Sequence, residues 1–224
     1  MPSVFITLEG LDGCGKSTQF QMLAKALSDR GLDVVVTREP GGTPLGERLR
    51  AVLLANDSRN LAPAAELFLM AADRAQDVAE VIRPALEAGR IVISDRYADS
   101  TVAFQGYGRG LDLAIIDDVN RLATGGLVPD LTVLFDLDPM QAQARLDQRV
   151  TSEARLGFEQ GMTRFDEEKL DFHVRVRDGY LKLASTEPGR FRVIDACQPI
   201  DATHQRVLSL VLGLFEMSKQ SPDA

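Results

Sequence analysis

An α/β fold, with a five-stranded parallel sheet flanked by helices, is predicted by three features of the sequence. Five short apolar runs alternate with longer helical patterns. The runs are apolar on both faces, as strands covered on both sides must be. A glycine-rich turn joins the first run to the first helix, at the edge where such sheets bind ligands.

Val4–Leu8 is the first run and ends at Glu9-Gly10. Lys16–Arg30 reads as a helix closed by Gly31, a favoured residue just past a helix end. Val34–Thr37 is the second run and stops before Arg38-Glu39-Pro40-Gly41-Gly42. Pro63–Glu87 reads as a long helix that starts on proline and kinks at Pro84. Ile91–Ile93 is the third run, leading to Ser94-Asp95-Arg96. Asp112–Ala123 is helical and stops at Gly125-Gly126. Leu131–Phe135 is the fourth run, Pro139–Val150 and Thr163–Ser185 are helices, Phe191–Ile194 is the fifth run, and Ile200–Met217 is the last helix. The C-terminal strand ends carry Glu9, Arg38, Asp95, Arg96 and Asp136, a charge-dense edge. Residues 1–217 read as one domain, and 218–224 as a tail that frays.

Composition narrows the function. Of 224 residues, 45% are hydrophobic and 26% charged, which excludes a disordered or fibrous chain. Asp and Glu outnumber Lys and Arg, 33 to 25, for a net charge of -8, so no nucleic-acid partner is expected. Two cysteines make no disulfide framework. No apolar run is long enough to span a membrane, and no leader pattern opens the chain, so a cytoplasmic location is expected.

Gly10-Leu11-Asp12-Gly13-Cys14-Gly15-Lys16-Ser17 matches G-x-x-x-x-G-K-[ST] at every fixed position, with a strand before it and a helix after it. Glycines let backbone N–H groups turn inward around phosphate oxygens, and the helix start adds its positive end. Lys16 then reaches the β- and γ-phosphates, and Ser17 ligates Mg²⁺. The loop from Gly10 to Thr18 names a nucleoside triphosphate but no acceptor. A small-molecule kinase and a hydrolysing switch both fit. The fourth run is followed by Asp136-Leu137-Asp138-Pro139, not by a guanine-reading N-K-x-D, and no strand ends in D-x-x-G. Arginines at strand ends and in the segment 141–164 favour phosphoryl transfer between two anions.

Five ordered segments resemble the bacterial thymidylate kinases among the P-loop nucleoside-monophosphate kinases. They are the loop Gly10–Thr18, Arg38–Thr43, Ala72-Asp73-Arg74-Ala75-Gln76, Asp95-Arg96-Tyr97 leading to Gln105–Gly110, and Asp195-Ala196-Cys197-Gln198-Pro199. The resemblance implies transfer from ATP to dTMP with Mg²⁺, giving dTDP and ADP, and a homodimer; a kinase of another nucleoside monophosphate is the alternative. It implies that Arg38 and Arg96 hold the acceptor phosphate, that Asp95 lies near the metal with Ser17, and that Asp12 faces the acceptor sugar and phosphate. Arg74 is implied to donate to a thymine carbonyl, although its place in the apolar stripe of Leu67, Met70, Ala71, Val78 and Val81 also fits a buried ion pair. Gln105 can match a base edge.

The sequence departs from the resemblance at Met70, where the family usually has an aromatic that stacks on thymine, and at Phe104, where many members have Tyr. The segment 141–164 reads as a mobile lid, with a loop over 151–161 and arginines at 145, 149, 155 and 164. Arg155 and Arg164 are the candidate catalytic arginines. Arg149 is expected nearer the adenine, with Gln198 also on the nucleotide side. Cys14, His173 and His204 lack partner motifs and read as bland.

Overall fold

The computed structural model describes residues 3–58, 60–155 and 163–220, leaving out the side chains of 150, 152–155 and 216–220. Its strands are β1 (Val4–Gly10), β2 (Val34–Arg38), β3 (Ile91–Asp95), β4 (Leu131–Asp136) and β5 (Phe191–Asp195). They form one parallel sheet in the order β2-β3-β1-β4-β5. Every residue of the central β1 is buried. Its side chains alternate, Val4, Ile6 and Leu8 joining the larger core and Phe5 a smaller one with Val78, Ile82, Val92 and Tyr97. The register pairs Leu8 and Arg38 with Asp95, and Asp136 with Asp195, so the charged strand ends meet along one edge.

The helices are α1 (Lys16–Ser28), α2 (Pro44–Leu54), α3 (Pro63–Asp77), α4 (Arg83–Glu87), α5 (Ala98–Thr101), α6 (Leu113–Thr124), α7 (Pro139–Arg155), α8 (Leu170–Thr186) and α9 (Ile200–Gln220). Among the described residues no helix is long and apolar enough to cross a membrane.

The structure departs from the expected elements in several places, and helix α8 starts at Leu170 where a helix from Thr163 was expected. The kink at Pro84 is a widened π turn over Val78–Ile82, in which the Arg83 N–H bonds the Val78 carbonyl five residues back. The wider turn absorbs the crowding that the proline ring brings to the turn before it. Helix α2 was not expected, yet Thr43 caps it by accepting from Gly46 N at 2.9 Å and Pro44 opens it. Helix α5 and the π turn Val102–Gly108 were likewise not expected. Finally, α7 runs past Val150 to Arg155, and α9 continues through Ser218–Gln220, part of the expected frayed tail. The remainder of the expected lid loop, 156–161, lies outside the described residues, as do residue 162 and the last four.

Candidate active site

The phosphate loop follows β1 and is packed tightly from beneath. A Cβ on Gly10, at φ 139°, would lie 2.5 Å from the Phe135 carbonyl of β4, and one on Gly13 would collide with the Ala142 carbonyl of α7. No larger residue fits at either position. Gly15, at φ 92°, turns the chain into α1. Lys16 is folded into the loop, its Nζ donating to the Gly10 and Leu11 carbonyls at 3.1 and 2.8 Å. Leu11 and Cys14 are buried beneath it, and burial pushes the Cys14 thiol up, away from a reactive thiolate. Ser17 and Thr18 are exposed in the first turn of α1, and Ser17 Oγ donates to Asp95 Oδ2 at 3.4 Å.

Beside the loop opens a cavity of about 290 Å³. Arg96 is its central cation. Its backbone is left-handed at φ 73°, a costly conformation for a non-glycine, held by Arg96 N donating to the Leu8 carbonyl and Ser94 Oγ to the Arg96 carbonyl. The guanidinium donates to Asp12 Oδ1 at 2.7 Å, and to Ser100 Oγ and Tyr180 Oη at 3.1 Å each, and lies 4.9 Å from the centre of the Phe104 ring. Burial would raise the Asp12 pKa, but Arg96 and then Lys16 more than offset it and hold the carboxyl well below the usual range. Beneath lies Glu9, fully buried, accepting from Tyr97 N, Ser100 Oγ and Tyr180 Oη at 2.6–2.8 Å; burial raises its pKa.

Arg38 stands at the mouth, half-exposed and paired with Glu47 at 2.8 Å. Arg50 of α2 also lines the cavity, donating to the Pro40 carbonyl at 2.7 Å. Burial, and then Arg38, lower its pKa, as for a cation crowded among cations. Arg149 lines the same cavity, on the helix α7 that packs against the phosphate loop.

The other end of the cavity is more apolar. Met70 and Phe104 line it, and Phe104 packs edge-on against Phe165, Phe172 and Tyr180. Gln105 is buried there, its Nε2 donating to Glu66 Oε1 at 2.8 Å. Arg74 also reaches the wall, where its guanidinium is held by protein partners. Nε and Nη2 lie 2.8 Å from Glu39 Oε2, Nη1 donates to Thr101 Oγ1 and Asn120 Oδ1, and Nη2 to the Tyr97 carbonyl. At 1% exposure its donors are committed, because a charge on a core face must be paired where it lies. Around it, burial pushes Glu39 up to about 8, Asp77 to about 7 and Asp73 to about 6.

Arg164 requires the largest correction. It is buried outside the cavity, with Nη1 2.6 Å from Glu66 Oε2, Nε bonded to the Leu53 carbonyl and its guanidinium over the Phe165 ring. The carboxylate of α3 claims it as a structural ion pair. Arg155 ends α7, and its side chain lies outside the described residues. Gln198 donates to Asp195 Oδ2 at 2.7 Å and borders a separate shallow groove at the end of β5, away from this cavity. His173 is buried in α8, and burial lowers its pKa; His204 lies on α9.

Sequence reasoning missed Arg50, Ser100, Tyr180 and Asp166, and named Glu9 only as part of the charged strand edge. Asp166, 4% exposed, lines the cavity and accepts from Thr163 N and Oγ1. The Thr43-Pro44 helix start was a usable signal for Arg50. Tyr180 and Glu9 are 171 residues apart, and nothing local announces their contact.

The sequence model of the family described as Thymidylate kinase matches residues 8–207. A thymidylate kinase of Solidesulfovibrio magneticus is 52% identical over 208 residues, 93% of this chain and 98% of the relative. One of Desulfovibrio desulfuricans is 56% identical over 196 residues, 88% and 89% of the two chains. The crystal structure of thymidylate kinase from Ehrlichia chaffeensis superposes with a TM-score of 0.73 at 35% identity, covering 94% of this chain and 99% of that one.

Proposed function

The chain belongs to the thymidylate kinase family and phosphorylates dTMP in nucleotide biosynthesis; from that premise we propose that ATP is its donor, Mg²⁺ its metal and the cavity beside the phosphate loop its acceptor site. The observation that carries this reading is the convergence on one cavity of the phosphate loop, five arginines and an apolar end. Arg38, Arg50 and Arg96 take the acceptor phosphate, and Met70, Phe104 and Gln105 take the base. Arg96 is already aimed: Asp12, Ser100 and Tyr180 hold its guanidinium in place, so little freedom is lost when a phosphate arrives. Gly10 to Thr18 hold the triphosphate, with Gln198 outside that contact.

The residues fit a magnesium ion. Ser17 Oγ and the Asp95 carboxylate face each other at the loop, both hard oxygen donors. Among the described residues no cluster of three metal-ligating side chains occurs, and Mg²⁺ on phosphates needs only one or two. Bound there, it would neutralise charge on the transferring phosphates.

In the reaction a dTMP phosphate oxygen forms a bond to the γ-phosphorus as the bond to the ADP oxygen breaks. The attacking oxygen is already ionised, so no side chain has to remove a proton. Lys16, Arg96 and Arg149 offset the charge that gathers between the two nucleotides, and residues 141–164 act as the lid over them. Arg155 joins this set as a proposed lid cation.

We further expect the enzyme to work free of nucleic acid, from its net charge of -8, and, with only two cysteines, in the reducing cytoplasm. It works as a homodimer: Val52 of α2, Phe68 of α3 and Leu122 of α6 are exposed on three helices that pack in series. A coupled assay with ATP and a panel of nucleoside monophosphates tests the function. ADP release with dTMP that stops when Mg²⁺ is chelated supports it; transfer to another monophosphate in preference, or release independent of any acceptor, contradicts it.

A further inference from the structure

We propose that Glu66 is the specificity-positioning residue of the base site: it turns the Gln105 carboxamide so that oxygen, not nitrogen, faces the cavity. The inference rests on the reading of that cavity as the dTMP site.

Glu66 is completely buried, and its carboxylate accepts four hydrogen bonds. Oε1 takes Gln105 Nε2 at 2.8 Å and Arg109 Nε at 3.2 Å; Oε2 takes Arg109 Nη2 at 3.1 Å and Arg164 Nη1 at 2.6 Å. An ionised carboxylate accepts and never donates, and about four bonds fill its capacity. Only the NH₂ end of Gln105 can therefore face it. A turned amide would set oxygen against oxygen and leave a buried charge short of a donor. The amide is planar, so with Nε2 fixed on Glu66 the oxygen takes the other branch, toward the cavity that Gln105 lines.

That orientation carries chemical information. Thymine presents an N–H donor between two carbonyls, and an acceptor on the enzyme matches it. Cytosine presents a bare ring nitrogen at the same position, which a carbonyl oxygen repels. Arg109 and Arg164 have no contact with the base in this scheme; they hold Glu66 so that Glu66 can hold Gln105. This also gives Arg164 a purpose away from the transferring phosphate.

The test measures kcat/KM for dTMP and dCMP on the wild type, Glu66→Gln and Gln105→Ala. A glutamine at 66 can offer its own NH₂ to Gln105 and let that amide turn. The dTMP to dCMP ratio should then fall on the order of tenfold, the worth of one hydrogen bond, mainly through KM. A purely structural Glu66 would slow both substrates equally, and an unchanged ratio overturns the proposal. If Gln105→Ala also leaves the ratio unchanged, the base-site reading falls with it; if Gln105→Ala lowers the ratio, only the role of Glu66 is lost. Should Glu66→Gln fail to fold, the wild type carries the test by ¹⁵N NMR of its glutamine side chains. The Gln105 NH₂ should be protected from exchange in the empty enzyme and stay so with dTMP; an NH₂ that exchanges freely, or gains protection only with dTMP, overturns the proposal.

Discussion

Replacing Arg164 by alanine should cost stability rather than catalytic rate. The guanidinium is 3% exposed, pairs with Glu66 at 2.6 Å and caps the Leu53 carbonyl at the end of α2. Breaking a buried ion pair costs about 3–5 kcal/mol, because the surviving charge is left in the core. Arg109 and Gln105 remain on Glu66, so the lower end, about 3 kcal/mol, applies here. For a chain of this length each kcal/mol moves Tm by about 2–4 °C, so a fall of about 6–12 °C follows. Calorimetric melting gives the first number. Steady-state kinetics well below the new Tm give the second, and kcat should stay within about threefold of wild type. An unchanged Tm with kcat down about a hundredfold would refute this reasoning. It would mean that Arg164 leaves Glu66 during turnover and acts on the phosphates after all.

Lys16→Ala should reduce turnover below about a tenth of wild type while circular dichroism stays native, since no other cation reaches into the loop from α1. Met70→Phe should tighten dTMP binding about two- to tenfold by calorimetry, as an aromatic ring adds about 0.5–1.5 kcal/mol of stacking on the base. A lower Tm with unchanged affinity would show that the side chain is packing against the core alone. Asp77→Asn tests the buried acids. Burial lifts Asp77 to about 7 from an ordinary 3.8, so the folded chain holds a proton that the unfolded chain has lost. The stability this proton brings is complete below about pH 4 and is lost as pH rises through 7. Thermal melts should therefore show the variant gaining on wild type between pH 4 and 7, and a constant gap across that range contradicts the assignment.

The sheet was legible because it depends on local signals. Runs such as Val4–Leu8 and Leu131–Phe135 are apolar on both faces and read as covered strands wherever they occur. The loop from Gly10 to Ser17 is likewise local, and its glycines sit where side chains would strike β4 and α7. Helix α2 was hidden for a different reason: Gly46 and the charges at 47, 48 and 50 dilute its apolar face, so only the Thr43-Pro44 start announces it. The π turns were invisible because periodicity cannot separate a widened turn from an ordinary one.

For the site, residue type was a better guide than role. Arg74 and Arg164 are as charged as Arg96; Arg74 and Arg96 lie in segments that resemble a kinase, and Arg164 in the expected lid. What separates them is which carboxylate lies within reach. Glu39 is 35 residues from Arg74 and Glu66 is 98 from Arg164, so the pairings exist only in three dimensions. Arg96 is held most closely by Asp12 at 2.7 Å, with Glu9 beyond it at 4.0 Å, and Asp12 is itself at the cavity. Met70 was placed correctly in the cavity wall by its spacing from Arg74, because four residues on a helix return to the same face.

The central claim is that one cavity receives dTMP with its phosphate among Arg38, Arg50 and Arg96 and its base against Met70 and Gln105. A crystal structure with dTMP bound measures this directly. The account predicts phosphate oxygens about 3 Å from those guanidinium groups, with the thymine N–H facing the Gln105 oxygen. A nucleotide phosphate bound elsewhere, or a thymine ring lying away from Met70 and Gln105, would contradict it.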